Sequence, residues 1–190
     1  MQFQFDKHKN LTGLHAPFSP SQSSWLRYDD DKAAEVYFNK QAAEMGTRLH
    51  AWAKETIDLG IRQPKSKKTI YAYVNDAIGY KMETEVVLFY SPRFFGTADA
   101  ISFRDNVLRI HDLKTGKVGK IDSHIEQLEI YAALFCLEYK MKPNNMTIEL
   151  RVYKNDEVIC HEPEAEAIID IMEKIVHFDK LLDHLDYKGV

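Results

Sequence analysis

Three ionisable side chains stand where strand-forming sequence ought to place apolar ones. Asp99 is embedded in Gly96-Thr-Ala-Asp-Ala-Ile101, Asp112 lies in His111-Asp-Leu-Lys114, and Lys114 follows Asp112 by two positions. Residues two apart in a strand project from one face, so Asp112 and Lys114 share a face. The Asp105-Asn106 pair between the two runs is a hairpin signal and makes the runs antiparallel. Asp99 precedes Asp105 by six residues and Asp112 follows Asn106 by six. The two carboxylates therefore come nearly opposite, within the ~5 Å range of cross-strand neighbours. Carboxylates that close repel unless a cation lies between them, and hard oxygen ligands suit Mg2+ or Mn2+. A surface Asp–Lys pair on an edge strand would account for Asp112 and Lys114 but leaves Asp99 unexplained.

These side chains need a sheet, and the surrounding sequence supplies one. Strands are expected over roughly 82–89, 95–103 and 107–113, separated by turns at Ser91-Pro92 and Asp105-Asn106. A strong helix is expected over 121–139, with Leu128, Ala132 and Phe135 on one face. A hairpin follows, with strands at 147–153 and 157–160 joined by Lys154-Asn155-Asp156. Upstream, Ser19-Pro20 reads as a helix start with Trp25 and Leu26 facing the core. Asp30 or Asp31 opens a longer helix to about Leu59, closed by Gly60. Residues 68–78 fit both helical and strand periods, and the helix is the reading adopted. The chain closes with an amphipathic helix carrying Ile168, Ile171, Ile175, Phe178, Leu182 and Leu185, a stripe expected to pack on the chain's own sheet.

The fold class implied is α+β, a central mixed β-sheet flanked by helices. With 190 residues, 45% hydrophobic and 28% charged, the chain is expected to form one domain with a full core. Its expected parts are an arm at 1–17, a helical part at 18–60, a sheet and helix carrying the chemistry at 80–162, and a terminal helix at 163–190. The polar start reads as no signal peptide and no apolar run approaches a membrane span, so a cytoplasmic protein with no membrane partner is expected. A formal charge of −4 argues against indiscriminate coating of nucleic acid. Two basic knots nevertheless stand out: Lys65, Lys67 and Lys68, then Lys114, Lys117 and Lys120.

At this point the sequence resembles a known family. Gly96-Thr-Ala-Asp-Ala-Ile101, His111-Asp-Leu-Lys-Thr-Gly116 and Gln127-Leu-Glu-Ile-Tyr131 are similar to three motifs of the RecB-type branch of the PD-(D/E)XK nucleases. The nearest likeness is to small phage and prophage exonuclease-like members. Ser19-Pro-Ser-Gln-Ser-Ser-Trp-Leu26 resembles that branch's N-terminal signature, and Gly46-Thr-Arg-Leu-His50 its helical glycine-to-histidine motif. The resemblance spans about residues 15–140.

The resemblance implies a restriction-endonuclease-like core and hydrolysis of DNA phosphodiester bonds with Mg2+ or Mn2+. It makes Asp99, Asp112 and Lys114 catalytic. It assigns the metal to His50, Asp99, Asp112 and the Leu113 backbone carbonyl, an imidazole favouring Mn2+ somewhat. Lys114 would position the attacking water, while Gln127 and Tyr131 would orient DNA with Lys117 and Lys120 nearby. Glu85 matches an acidic position that commonly precedes the first aspartate, although an exposed strand glutamate reads equally well. An exonuclease of phage recombination is the leading expectation, with a single-strand annealing or recombination protein as partner and oligomerisation compatible. A structure-specific endonuclease and a binding module without catalysis are the rivals. Relatives with an iron–sulfur cluster need four cysteines, and Cys136 and Cys160 cannot supply them.

Overall fold

The computed structural model describes residues 16–116 and 121–187, which fall into two compact units meeting at residue 46. In the first unit, Ser19-Pro20 opens a turn instead of the expected helix, and only a short 3-10 turn forms at Ser23–Arg27. The Ser19 carbonyl accepts the Gln22 amide and the Trp25 indole Nε1–H, so it serves a turn and not a helical ladder. Leu26 is 69% exposed, which corrects its assignment to a core.

Helix α1 covers Asp30–Asp58 and belongs to the second unit from Gly46 onward. It stops where Gly60 adopts a left-handed φ of 67°, the chain reversal that favours glycine. Helix α2 is Thr69–Gly79, the helical alternative of the ambiguous stretch. Strands β1 (Glu83–Ser91), β2 (Phe94–Arg104) and β3 (Val107–Lys114) form the expected meander. Asp105 and Asn106 both take positive φ, 51° and 63°, as a two-residue hairpin turn requires. Helix α3 (Ile121–Glu138) leads to β4 (Thr147–Lys154), β5 (Glu157–His161) and helix α4 (Ala165–Tyr187).

The sheet order is β1-β2-β3-β4-β5, antiparallel except for the parallel β3/β4 pair. The parallel step needs a crossover, which α3 provides. Leu128, Ala132 and Phe135 of α3 pack with Leu108, Ile110, Leu150 and Val152 on one face, together with Ile168 and Ile175 of α4. The opposite face of β3 and β4 is covered by α2 and the end of α1 through Ala53, Ile57, Tyr73, Val74, Leu113 and Tyr153. The architecture is α+β with a five-stranded mixed sheet flanked by helices. No helix among the described residues is long and apolar enough to cross a membrane. Only the first half of the α4 stripe packs as expected: Phe178, Leu182 and Leu185 stay exposed.

Two features of β1 and β2 shape the chemistry. Val86, Leu88 and Tyr90 of β1 and Ala98 and Ile101 of β2 all pack into the α3-side core, whereas Ala100 packs on the opposite side. Alternation therefore breaks between Ala98 and Ile101, next to Asp99. On β1 the matching break is Glu85, whose φ of 53° lies in the left-handed region that costs a non-glycine residue. At the sheet's edge, the Phe89 amide donates to the Glu138 carboxylate of α3 at 2.8 Å.

Candidate active site

Asp99 sits where β2 and β3 part. Their ladder runs from Arg104↔Val107 to Ala100↔His111, so the next pair in register is Asp99 and Asp112, as the turn position implies. There the Asp99 Oδ2 accepts the Leu113 N–H at 3.1 Å. A side-chain carboxylate thus takes a backbone amide just beyond the end of the ladder, which fixes Asp99 against the adjoining strand. His50 Nδ1 of α1 lies 3.4 Å from the same oxygen. Gly46, one helical turn before His50, makes this approach feasible. A Cβ at Gly46 would stand 2.7 Å from Thr115 Oγ1, so a side chain there would push α1 off the end of β3.

Asp112 is buried on the α3 side of the break. Its Oδ1 accepts a hydrogen bond from Lys114 Nζ at 3.0 Å, and the same ammonium donates to Gln127 Oε1 at 3.0 Å. Gln127 Nε2 in turn faces the Tyr131 hydroxyl at 3.3 Å. Gln127 and Tyr131 lie four apart on α3, so one helix face carries both. Tyr131 rests on β2 at Gly96, where a Cβ would meet the ring at 2.8 Å. The two glycines of the motifs are therefore contact points at which a helix meets a strand.

The electrostatics are those of a site short of positive charge. Burial, then the neighbouring Asp112, pushes the Asp99 carboxyl up to about 6, against the opposing pull of the Leu113 amide, His50 and Lys114. Asp112 Oδ2 is buried with no hydrogen-bond partner among the described residues. An orphaned carboxylate oxygen beside a second carboxylate fits a hard divalent cation. Mg2+ and Mn2+ sites commonly use one or two carboxylates and complete the shell with water and substrate phosphate. Among the described residues, no group of three or more His, Cys, Asp or Glu side chains is arranged to hold a metal. Asp99, Asp112 and His50 come together at this break, with the His50 Nδ1 facing the Asp99 carboxylate.

Two neighbours of this site escape a reading of the sequence. Lys154 is the register partner of Lys114 on β4, only 4% exposed, with its Nζ 3.2 Å from His124 Nε2. Burial, then the ammonium groups of Lys114 and Lys154, hold His124 below the ordinary imidazole range. His124 precedes Gln127 by three residues and Tyr131 by seven, a helical spacing that could have flagged it. Nothing local marks Lys154, because the β3/β4 register is set by the crossover. Glu85 is exposed on β1, between Thr84 and Val86, which pair with Ala100 and Ala98 on either side of Asp99. Lys117 and Lys120 lie outside the described residues.

Beneath β3 and β4, on the α2 side, a polar network steadies the strand that carries Asp112. The Tyr153 hydroxyl donates to Asp76 Oδ2 at 2.8 Å and contacts His111 Nδ1 at 3.2 Å. Arg151 donates to the same Asp76 oxygen and to the Tyr80 hydroxyl, each at 3.0 Å.

Fold and site together define a class: an α+β domain whose central hairpin brings two carboxylates and a lysine to one break in the sheet. The family model described as protein of unknown function (DUF2800) matches residues 80–176, just over half of the chain, and the chain belongs to that family. The match covers the five strands, α3 and the first half of α4. Neither the curated proteins nor the solved structures give a match to this sequence.

Proposed function

We propose that the protein is a divalent-metal-dependent DNA nuclease of the PD-(D/E)XK type, acting as an exonuclease on a free DNA end. The observation that carries this reading is the carboxylate pair, Asp99 half-buried and Asp112 buried, with Asp112 Oδ2 unpartnered among the described residues and Lys114 Nζ 3.0 Å from Oδ1 of the same side chain. An inert ion pair would leave no buried oxygen open and would not hold a second carboxylate beside it against its own repulsion.

Asp99 and Asp112 would hold Mg2+ or Mn2+, with the Leu113 carbonyl as a further donor. Such an ion, when bound, lowers the pKa of a coordinated water and stabilises charge on a phosphoryl oxygen. The remaining work belongs to the chain. Lys114, clamped between Asp112 and Gln127, is held where its ammonium can orient a water and offset charge on the scissile phosphate. Clamping from two sides removes the rotamer freedom that a flexible lysine would otherwise lose on meeting substrate. Gln127 and Tyr131 hold the substrate side of the same line. His50 keeps Asp99 turned toward the centre.

The test is incubation with Mn2+ of end-labelled linear DNA beside covalently closed circles. Linear DNA is degraded and circles survive. Cutting of relaxed closed circles at the same rate makes the protein an endonuclease, and a wild-type protein that cuts neither overturns the nuclease reading.

A further inference from the structure

Helix α3 crosses the sheet from β4 to β2, and over each strand it sets down one side chain of a single line. His124 Nε2 lies 3.2 Å from Lys154 Nζ of β4, Gln127 Oε1 lies 3.0 Å from Lys114 Nζ of β3, and Tyr131 rests on Gly96 of β2. These helix residues stand three and four apart, so one face of α3 carries all three. Lys114 and Lys154 are register partners of the parallel pair. Lys154 follows Val152, a member of the α3-side core, by two positions and so shares its face. Two lysines thus stand side by side on strands about 4.8 Å apart, Lys154 only 4% exposed and His124 half-buried against it.

An ammonium group can only donate, so Lys154 takes the Nε2 lone pair of His124 and leaves the ring proton on Nδ1. We infer that the Lys154–His124 pair is a second phosphate position, at which His124 donates from Nδ1 to the phosphodiester next to the scissile one. Three observations favour this occupant. Like charges in register on neighbouring strands repel, and the positive potential they share attracts an anion. The spacing suits a nucleic-acid strand: the contacts recur one strand step, about 4.8 Å, or one helical turn, about 5.4 Å, apart. That is between one and two times the roughly 3.4 Å axial rise of a nucleotide, so successive contacts fall on successive nucleotides of a partly extended strand. His124 also belongs electrostatically to the same centre, since Lys114 and Asp112 both act on its ring. Lys154 is too buried to touch a substrate and is a positioning residue, acting through the tautomer it imposes on His124. The inference rests on the nuclease reading. It adds a strand path, along α3 from β4 to β2, and a substrate requirement, a charged phosphate beside the bond that is cut.

The test pairs protein variants with substrates that lack one charge. End-labelled oligonucleotides, each carrying a single uncharged methylphosphonate at a different position, are cut in Mn2+ by the wild type, His124→Leu, His124→Gln and Lys154→Met. In the wild type, a methylphosphonate on one side of the cut bond is expected to raise KM by about tenfold or more, the scale of one charge-assisted hydrogen bond. His124→Leu is expected to raise KM for the unmodified strand by a similar factor, more than it lowers kcat, and to be indifferent to that methylphosphonate. Glutamine offers both an acceptor for Lys154 and a donor for the phosphate, so His124→Gln should recover most of the affinity and of the sensitivity. Lys154→Met should resemble His124→Leu; if it fails to fold, the His124 variants, at a half-buried helix position, still decide. A methylphosphonate penalty of the same size in the wild type and in His124→Leu overturns the phosphate position and leaves the nuclease reading intact. A lowered melting temperature with unchanged KM in the His124 and Lys154 variants makes the pair purely structural and also overturns it. A wild-type protein that cuts none of the oligonucleotides overturns the nuclease reading, and the phosphate position falls with it.

Discussion

The ring of Tyr131 lies so close over Gly96 that a Cβ built at residue 96 would stand 2.8 Å from its Cε1. Helix α3 and strand β2 thus meet through a bare backbone, and the ring that defines the contact ends in the hydroxyl that faces Gln127. Gly96→Ala is expected to cost about 1–3 kcal/mol, the usual penalty for overpacking. It should also lower activity by displacing the Gln127–Lys114 clamp. Urea unfolding gives the first effect. In a Tyr131→Leu background the stability cost should largely vanish, and a cost that persists there would show that the clash lies elsewhere.

Gly46 faces Thr115 in the same manner, but across a helix. Alanine in a helix interior is about 1 kcal/mol more favourable than glycine, yet a Cβ at Gly46 would meet Thr115 Oγ1 at 2.7 Å. Gly46→Ala should therefore stabilise the protein clearly in a Thr115→Ala background and much less, or not at all, in the wild type. A double-mutant cycle with no coupling between the two positions would contradict the contact.

Asp99 sets a pH dependence whose sign is fixed by its environment. Burial and Asp112 raise its carboxyl from the ordinary 3.8 to about 6 in the folded chain. The folded state therefore holds the proton more tightly than the unfolded one. Its contribution is favourable below the unfolded pKa and is lost as pH rises through about 6. In metal-free protein, stability should fall between about pH 4 and 6 relative to Asp99→Asn, and Mn2+ should reverse the loss. Unfolding curves at pH 4 and pH 7, with and without the ion, check this. An Asp99→Asn variant with the same profile as the wild type would remove Asp99 from the account.

Asp112→Asn keeps size and removes charge. Cleavage should fall by at least about a hundredfold, the scale of losing one electrostatic contributor at a reacting centre, and calorimetric Mn2+ affinity should fall with it. Lys114→Met should abolish turnover while leaving DNA affinity within a few-fold. Unchanged Mn2+ binding in both Asp99→Asn and Asp112→Asn would sink the assignment of the metal to this pair.

Glu85 offers a test of backbone strain. Its φ of 53° costs a side-chain-bearing residue roughly 1–2 kcal/mol, and a β-branched residue suffers most. Glu85→Val should thus destabilise although valine is the better strand former, and Glu85→Gly should be neutral or stabilising. Chemical denaturation of the two variants decides it.

The part of the site legible in the sequence was the part fixed by local geometry. A two-residue turn at Asp105-Asn106 sets the register of β2 and β3, so the facing of Asp99 and Asp112 could be counted off. The four-residue spacing of Gln127 and Tyr131 likewise held on α3. What could not be read depends on packing between distant segments. Lys154 comes beside Lys114 only because α3 returns the chain in parallel, and the left-handed Glu85 carries no composition signal, being neither Gly nor Asn. Ser19-Pro20 carries a helix-start pair yet forms a turn, because the Trp25 indole claims the Ser19 carbonyl. The α4 stripe continues past the sheet it was expected to cover, since periodicity records a face but not where its partner ends.

The Glu138 carboxylate on the Phe89 amide bears on what the protein does in a crowded solution. β1 is an outermost strand, and its unpaired amides are a template onto which another chain could add by β-pairing. A negative charge seated on one of those donors, with the backbone kinked a few residues earlier at Glu85, spoils the flat edge that such addition needs. The sheet can keep Phe89 and Phe95 exposed on its face while its rim resists fibre-like assembly.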